Sequence, residues 1–243
     1  MSTDNAKSLG QQNYEQFADR YAAAAPTKPH NALYERPATL SLLPGDLRGL
    51  RVLDAGCGPG LYSEILAARG ASVHAFDVTP EMVALAQART AGLDVEVRTG
   101  NLEQPLDWLA DAQFDIVLCP LVLDYIEDWA PVFAEFRRVA RRDALLVFSA
   151  SHPIDAWRLC GDGNYHQTEA YAIPWKGFGE PLPVVNSYRR PLSGFLNPLM
   201  DAGWALETLL EPQPLEAMRE VNPQLHAWLS RAPCFLCVRA RRR

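Results

Sequence analysis

A chain of 243 residues that is 48% hydrophobic, with no glycine- or serine-rich linker, is long enough for one substantial domain, 1–243, around a buried core. Lys+Arg 23 against Asp+Glu 29 leaves a net charge of -6, which argues against a general electrostatic affinity for nucleic acid or anionic membrane and fits a small-molecule partner better; a monomer or homodimer is expected. The five cysteines are an odd number scattered over apolar segments, as suits reduced thiols in the cytoplasm.

The opening Met1-Ser2-Thr3-Asp4-Asn5 has no basic segment leading into an apolar one, so no secretory leader is expected, and no run approaches membrane-spanning length. Tyr14, Phe17 and Tyr21 share one face of a predicted helix over residues 11–24, a stripe that is ordinarily packing. Residues 22–29 read as a hinge or loop, and 33–43 as a helix before the first strand.

Val52-Leu53-Asp54-Ala55-Gly56-Cys57-Gly58-Pro59-Gly60 then reads as a buried strand breaking into a glycine-crowded turn, where backbone N–H groups can approach a ligand without a steric barrier. A helix follows over residues 61–69, its N-terminus directed at whatever the turn holds. Counted as the dinucleotide fingerprint G-x-G-x-x-G/A, the third small position falls on the bulky Leu61, which argues against an NAD-dependent oxidoreductase. Asp54 two residues before a G-x-G-x-G turn closely resembles the first motif of class I S-adenosylmethionine (SAM)-dependent methyltransferases, small-molecule enzymes of the type 11/25-like group. The resemblance implies SAM as cofactor and S-adenosylhomocysteine as product, with Asp54 and the turn (Gly56, Cys57, Gly58) holding the methionine end. It also casts the segment bearing Tyr14 and Tyr21 as a lid over the cofactor.

Residues 71–77 form a β-rich run ending in Asp77, and Thr79-Pro80 is a helix-start signal before Met82. At a strand tip of an open α/β sheet an acid can accept hydrogen bonds from both ribose hydroxyls; the competing reading is a helix-capping surface acid. The family places a ribose-binding acid here, with Val78 and Met82 alongside. Residues 94–98 alternate as a third strand and run into Asn101-Leu102, where the family carries an aspartate-hydrophobe pair facing adenine; an asparagine oxygen can accept the same bond, and a plain loop asparagine is the alternative. A fourth strand over 114–120 is apolar enough for burial on both faces. Cys119, Pro120 and Leu121 occupy the family's place beneath the cofactor, and Asp124-Tyr125-Ile126 is expected to open the next helix. A helix over 129–139 leads to strand five at 144–149.

Residues 150–190 are too rich in large aromatics for an ordinary connector and read as an insertion covering the acceptor pocket. His152, Trp157, Tyr165, Trp175 and Tyr188 are its candidate acceptor contacts. A helix at 191–202, a sixth strand at 204–210, a polar helix-like segment at 212–231 and a last strand at 234–239 follow. The expected fold is therefore α/β: a Rossmann-like, mostly parallel sheet of seven strands with an antiparallel last strand, helices on both faces and an α/β cap after strand five. Its parts are an N-terminal lid (1–45), a SAM-binding half (46–150), the insertion (150–190) and a C-terminal part (191–243).

The resemblance predicts methyl transfer to a small molecule at an N, O, S or C nucleophile. SAM already carries a good leaving group, so alignment and exclusion of water matter most, and a base is needed only if the acceptor must lose a proton. Candidates are His152, His166, Asp124, Tyr14 and Tyr21, with His152 and Tyr21 preferred; a His152 that merely bonds the insertion is the competing reading. No metal is implied: His166-x-x-Glu169 supplies too few ligands, and Cys234-x-x-Cys237 reads as core cysteines of a terminal strand. Cys119-Pro120-Leu121-Val122 stands where amino-group DNA methyltransferases carry Asn-Pro-Pro-Tyr, which disfavours base methylation. A non-catalytic SAM-binding protein is the alternative the residues leave open.

Overall fold

The computed structural model describes residues 7–161 and 163–243; the stretch Met1-Ser2-Thr3-Asp4-Asn5, the first part of the expected lid, and Asp162 of the insertion lie outside the described residues. The N-terminal part comprises α1 (Leu9–Tyr14), α2 (Ala18–Ala24), a π-helical turn (Asn31–Glu35) and α3 (Arg36–Ser41). Then come β1 (Arg51–Ala55), α4 (Leu61–Ala68), β2 (Ser72–Asp77), α5 (Pro80–Arg89), β3 (Val95–Thr99), β4 (Phe114–Pro120), a 3-10 turn (Leu123–Tyr125), α6 (Ala130–Val139) and β5 (Ala140–Ser151). The insertion holds α7 (Pro153–Leu159), β6 (Glu169–Pro174) and β7 (Val184–Arg189). The chain ends with α8 (Leu192–Asp201), β8 (Trp204–Leu210), α9 (Met218–Val221), α10 (Pro223–Leu229) and β9 (Phe235–Arg242).

Seven strands form one sheet in the order β3-β2-β1-β4-β5-β9-β8, and β6 and β7 pair separately as an antiparallel hairpin. The first five strands are mutually parallel, and β9 is antiparallel to both β5 and β8. Successive side chains of a strand point to opposite faces, so Val52, Val73, Ile116 and Val147 pack on the α4 side while Leu53, Phe76, Val117 and Phe148 pack with α6 and α8. Burial on both faces explains why residues 116–120 of β4 and 144–148 of β5 are unbroken apolar runs rather than alternating ones. The parallel strands all end at one edge, and the connections leaving that edge build the site.

The helix boundaries depart from sequence expectation where proline or a bulky residue intervenes. The helix expected over 11–24 is two helices, broken at Phe17, whose backbone leaves the helical region at φ -153. Residues 31–41 form a π-helical turn running into α3. Pro37 has no N–H for the carbonyl four residues back, and Arg36 N–H reaches Asn31 O, five back. Asp124-Tyr125 forms its own 3-10 turn, and α6 starts afresh with Pro131 in its first turn. Pro223 likewise opens a second short helix within the segment 212–231.

Candidate functional site

A cleft of about 990 Å³, measured to its open mouth, runs along the edge where β1 to β4 end. Its floor is the turn after β1, where the N–H groups of Gly56 and Cys57 both donate to Phe76 O (2.8 and 2.9 Å) and fold the turn against β2. The two glycines serve different ends. A Cβ on Gly56 would sit 2.4 Å from Val122 Cγ2, whereas one on Gly58, at φ +52, would meet no protein atom within 4 Å and would enter the cleft itself.

Asp77, at the tip of β2, joins this turn to the next helix. Its Oδ2 accepts the Gly58 N–H and its Oδ1 the Thr79 N–H, each at 2.9 Å, leaving both oxygens with spare acceptor capacity on the cleft side. Burial raises its pKa above the ordinary carboxylate value, against the pull of those N–H groups. Asp54 lies beneath the floor, not in the lining: it is fully buried, accepts Ser63 Oγ–H on Oδ2 at 2.5 Å, and its Oδ1 has no partner among the described residues. Burial first, and the charge of Asp77 second, push its pKa up to about 7, although the Ser63 hydroxyl opposes them. Cys119 is also core beneath the floor. Val78, Met82, Leu102, Pro120 and Leu121 border the cleft with Gly56, Cys57 and Gly58. Asn101 borders it too, but its Oδ1 already accepts the Glu103 N–H at 2.9 Å.

Tyrosines from two segments roof the cleft. The hydroxyls of Tyr14 and Tyr125 are 2.8 Å apart, and Tyr21 stands edge-on to Tyr14. Burial pushes the Tyr21 pKa up to about 12. The roof is fastened to the insertion: Asn13 exchanges hydrogen bonds with the Asn186 backbone (2.8 and 3.0 Å), Arg20 donates to Phe178 O at 3.0 Å, and Lys28 Nζ lies 3.3 Å from the centre of the Phe178 ring.

The insertion residues expected at the acceptor do not border the cleft. Trp175 packs behind Tyr14, against Phe17 and Phe178. Trp157 donates to Gly163 O at 2.6 Å, Tyr165 accepts the Leu192 N–H at 3.2 Å, and Tyr188 lies on β7, half-buried. His152 is buried away from it: its Nδ1 accepts the Ile154 N–H at 3.3 Å, capping α7, and its Nε2 is 2.9 Å from Glu211 Oε1. Asp124 holds the Ser151 N–H and hydroxyl on one oxygen (2.9 and 2.8 Å), and His166 is exposed on its loop. The lining also includes Glu35, Arg36, Tyr62 and Tyr125, to which no sequence motif gave a place in the site. The first two sit on the π-helical turn and α3, whose register no apolar pattern foretells.

A family model described as a methyltransferase domain matches residues 53–148, from β1 to β5, and so carries the glycine turn, Asp77 and Asn101. A crystal structure of an S-adenosylmethionine-dependent methyltransferase from Mesorhizobium loti matches the fold with a TM-score of 0.68 at 28% identity, covering 86% of this chain and 97% of that one. From β1 to β5 the chain thus matches a methyltransferase domain, and most of its length shares the fold of an S-adenosylmethionine-dependent methyltransferase. The chain is 36% identical over 144 residues to the ubiquinone biosynthesis O-methyltransferase of Xanthomonas oryzae pv. oryzae, a match covering 54% of this chain and 59% of that enzyme. The chain thus spans less than two thirds of the length of that curated relative. A Haemophilus influenzae protein described as uncharacterized is 27% identical over 87% of this chain and 88% of its own length, so likeness extends past residues 53–148.

The cleft suits SAM. It offers a carboxylate with free acceptor capacity, an open glycine cradle and a roof of aromatic rings over an apolar floor. Among the described residues no helix is long and apolar enough to cross a membrane.

Proposed function

We propose that the protein catalyses SAM-dependent methyl transfer to a small-molecule acceptor and releases S-adenosylhomocysteine, acting as one domain, monomeric or homodimeric, in the cytoplasm. The observation that carries this reading is a single cleft holding Asp77 and the Gly58 cradle on its floor under a roof of tyrosines. SAM supplies an activated methyl group on a sulfonium. The protein's part is to bind, orient and keep water out. Asp77 takes the ribose hydroxyls, Asn101 and Leu102 flank the adenine, and the turn at Gly56 to Gly58 supports the rest of the cofactor. Tyr14, Tyr21 and Tyr125 exclude water. At neutral pH a Tyr21 hydroxyl pushed up to about 12 holds its proton, so it orients an acceptor rather than deprotonating it. The relative named as an O-methyltransferase makes hydroxyl-bearing acceptors the first class to screen.

Calorimetry with SAM tests the reading. Asp77→Ala should lower affinity by about 1.5–3 kcal/mol, the scale of hydrogen bonds to a charged group. Unchanged affinity would remove Asp77 from the ribose. A wild type that binds SAM but releases no S-adenosylhomocysteine with any acceptor tried would favour a non-catalytic SAM-binding protein.

A further inference from the structure

The cleft extends from Asn101, after β3, to Leu121, after β4, and Glu35 borders the end near β5. Glu35 is 1% exposed. Hydroxyls from three elements converge on it: Thr39 (2.8 Å) and Ser149 (2.6 Å) donate to Oε1, and Tyr62 lies 2.9 Å from Oε2. Oε2 therefore keeps an open acceptor position. The adjoining cation does not serve it, because Arg36 sends its guanidinium to the carbonyls of Ala25 and Pro26 (2.8 and 3.4 Å). Among the described residues Glu35 forms no ion pair. Burial raises its pKa above the ordinary carboxylate range, and the three hydroxyls and then the charge of Arg36 oppose that rise, so the carboxylate is surrounded by donors while no cation contacts it directly among the described residues. Buried charges are normally paired, and a π-helical turn is a frequent mark of functional sites.

Orientation supplies the missing partner. If Asp77 at the β2 tip holds the ribose and the adenine lies toward Asn101 after β3, the third arm of the cofactor leads the other way, past β1 and β4. That arm ends in an α-amino acid. We infer that Glu35 receives the ammonium of this aminoacyl arm and thereby fixes the direction in which SAM lies in the cleft. The inference rests on the SAM reading, and Glu35 is a positioning residue that touches no reacting atom.

The test is a cycle between residue and ligand: calorimetric affinities of S-adenosylhomocysteine and its desamino analogue for wild type and Glu35→Gln. Wild type should prefer the amino form by roughly tenfold or more, the scale of a charge-assisted contact, and the variant by less than about threefold, with the loss falling on the amino ligand alone. If the substitution weakens both ligands equally, or leaves the preference intact, the inference is overturned. Should Glu35→Gln not fold, Glu35→Asp, which keeps the charge but shortens its reach, should still cut the preference by at least about threefold, and an undiminished preference overturns the inference. A wild type that binds neither ligand overturns the SAM reading itself, and this inference with it.

Discussion

The strands from β1 to β4 and the insertion place their characteristic residues by different means. Between β1 and β4, the glycine turn, Asp77, Asn101 and Pro120-Leu121 all reach the cleft because the sheet fixes where each strand ends. Position follows from backbone register. In residues 150–190, the rings of Trp157, Tyr165 and Trp175 satisfy one another or a nearby backbone group, and none borders the cleft. Aromatic content there signals that something is covered. It does not say what, and here the covered object is the N-terminal roof: Phe17, Tyr14 and Tyr21 against Trp175 and Phe178.

The sharpest way to break this contrast is to fill the cradle. Gly58→Val should reduce SAM affinity at least about 100-fold by placing a branched side chain in cofactor space, besides the cost of roughly 1–3 kcal/mol for a β-branched residue at positive φ. Gly92→Val is the control, since Gly92 has φ +82 and a Cβ there would also meet nothing within 4 Å, yet it lies outside the cleft. Comparable losses of melting temperature in both variants, with affinity lost only in the first, are the expected result. Affinity lost equally in both would mean that strain, not occupancy, governs binding.

β1 and β2 were legible in the sequence as apolar runs stopped by a glycine or an acid, and β4 as an apolar run ending at Pro120; all three fall within a residue of expectation. The lining residues on those strand tips followed from the same signal. Asp54 and Cys119 show its limit, for motif membership does not tell which side of the floor a side chain takes, and both point into the core. Glu35 and Tyr62 were not legible because their meeting depends on a π-helical turn set by Pro37 and on contacts with Thr39 and Ser149, far apart along the chain.

The contrast extends to charge. In the insertion Asp155 and Glu169 are matched by Arg158 and Arg189, whereas Asp54 beneath the cleft has only a serine hydroxyl. Its pKa of about 7 exceeds the unfolded value of 3.8, so between the two the folded protein keeps a proton that the unfolded chain releases. Stability from this group is greatest at low pH and falls as pH rises through that window. Asp54→Asn should therefore become more stable relative to wild type from pH 4 to pH 7, by an amount on the order of a few kcal/mol. Melting curves of the two proteins without ligand across that range are the check, and a pH-independent difference would show that Asp54 is ionised throughout.

The smallest effect is expected where the insertion was thought to reach the chemistry. His152 caps α7 through Nδ1 and meets Glu211 through Nε2, and these two contacts occupy both ring nitrogens. A ring so engaged, and set away from the cleft lining, has no free nitrogen to offer an acceptor. His152→Ala should then act on stability alone. Loss of a helix cap is worth about 0.5–1 kcal/mol, which for a chain of this size lowers the melting temperature by roughly 1–4 °C. SAM affinity should stay within about twofold and kcat within about threefold of wild type, differences below 1 kcal/mol. Glu211→Gln offers a second view, because it weakens the contact at Nε2 while leaving the cap in place. If instead kcat falls by about 100-fold or more at unchanged SAM affinity, the histidine must leave Glu211 during turnover and reach the acceptor. The insertion would then supply chemistry as well as cover.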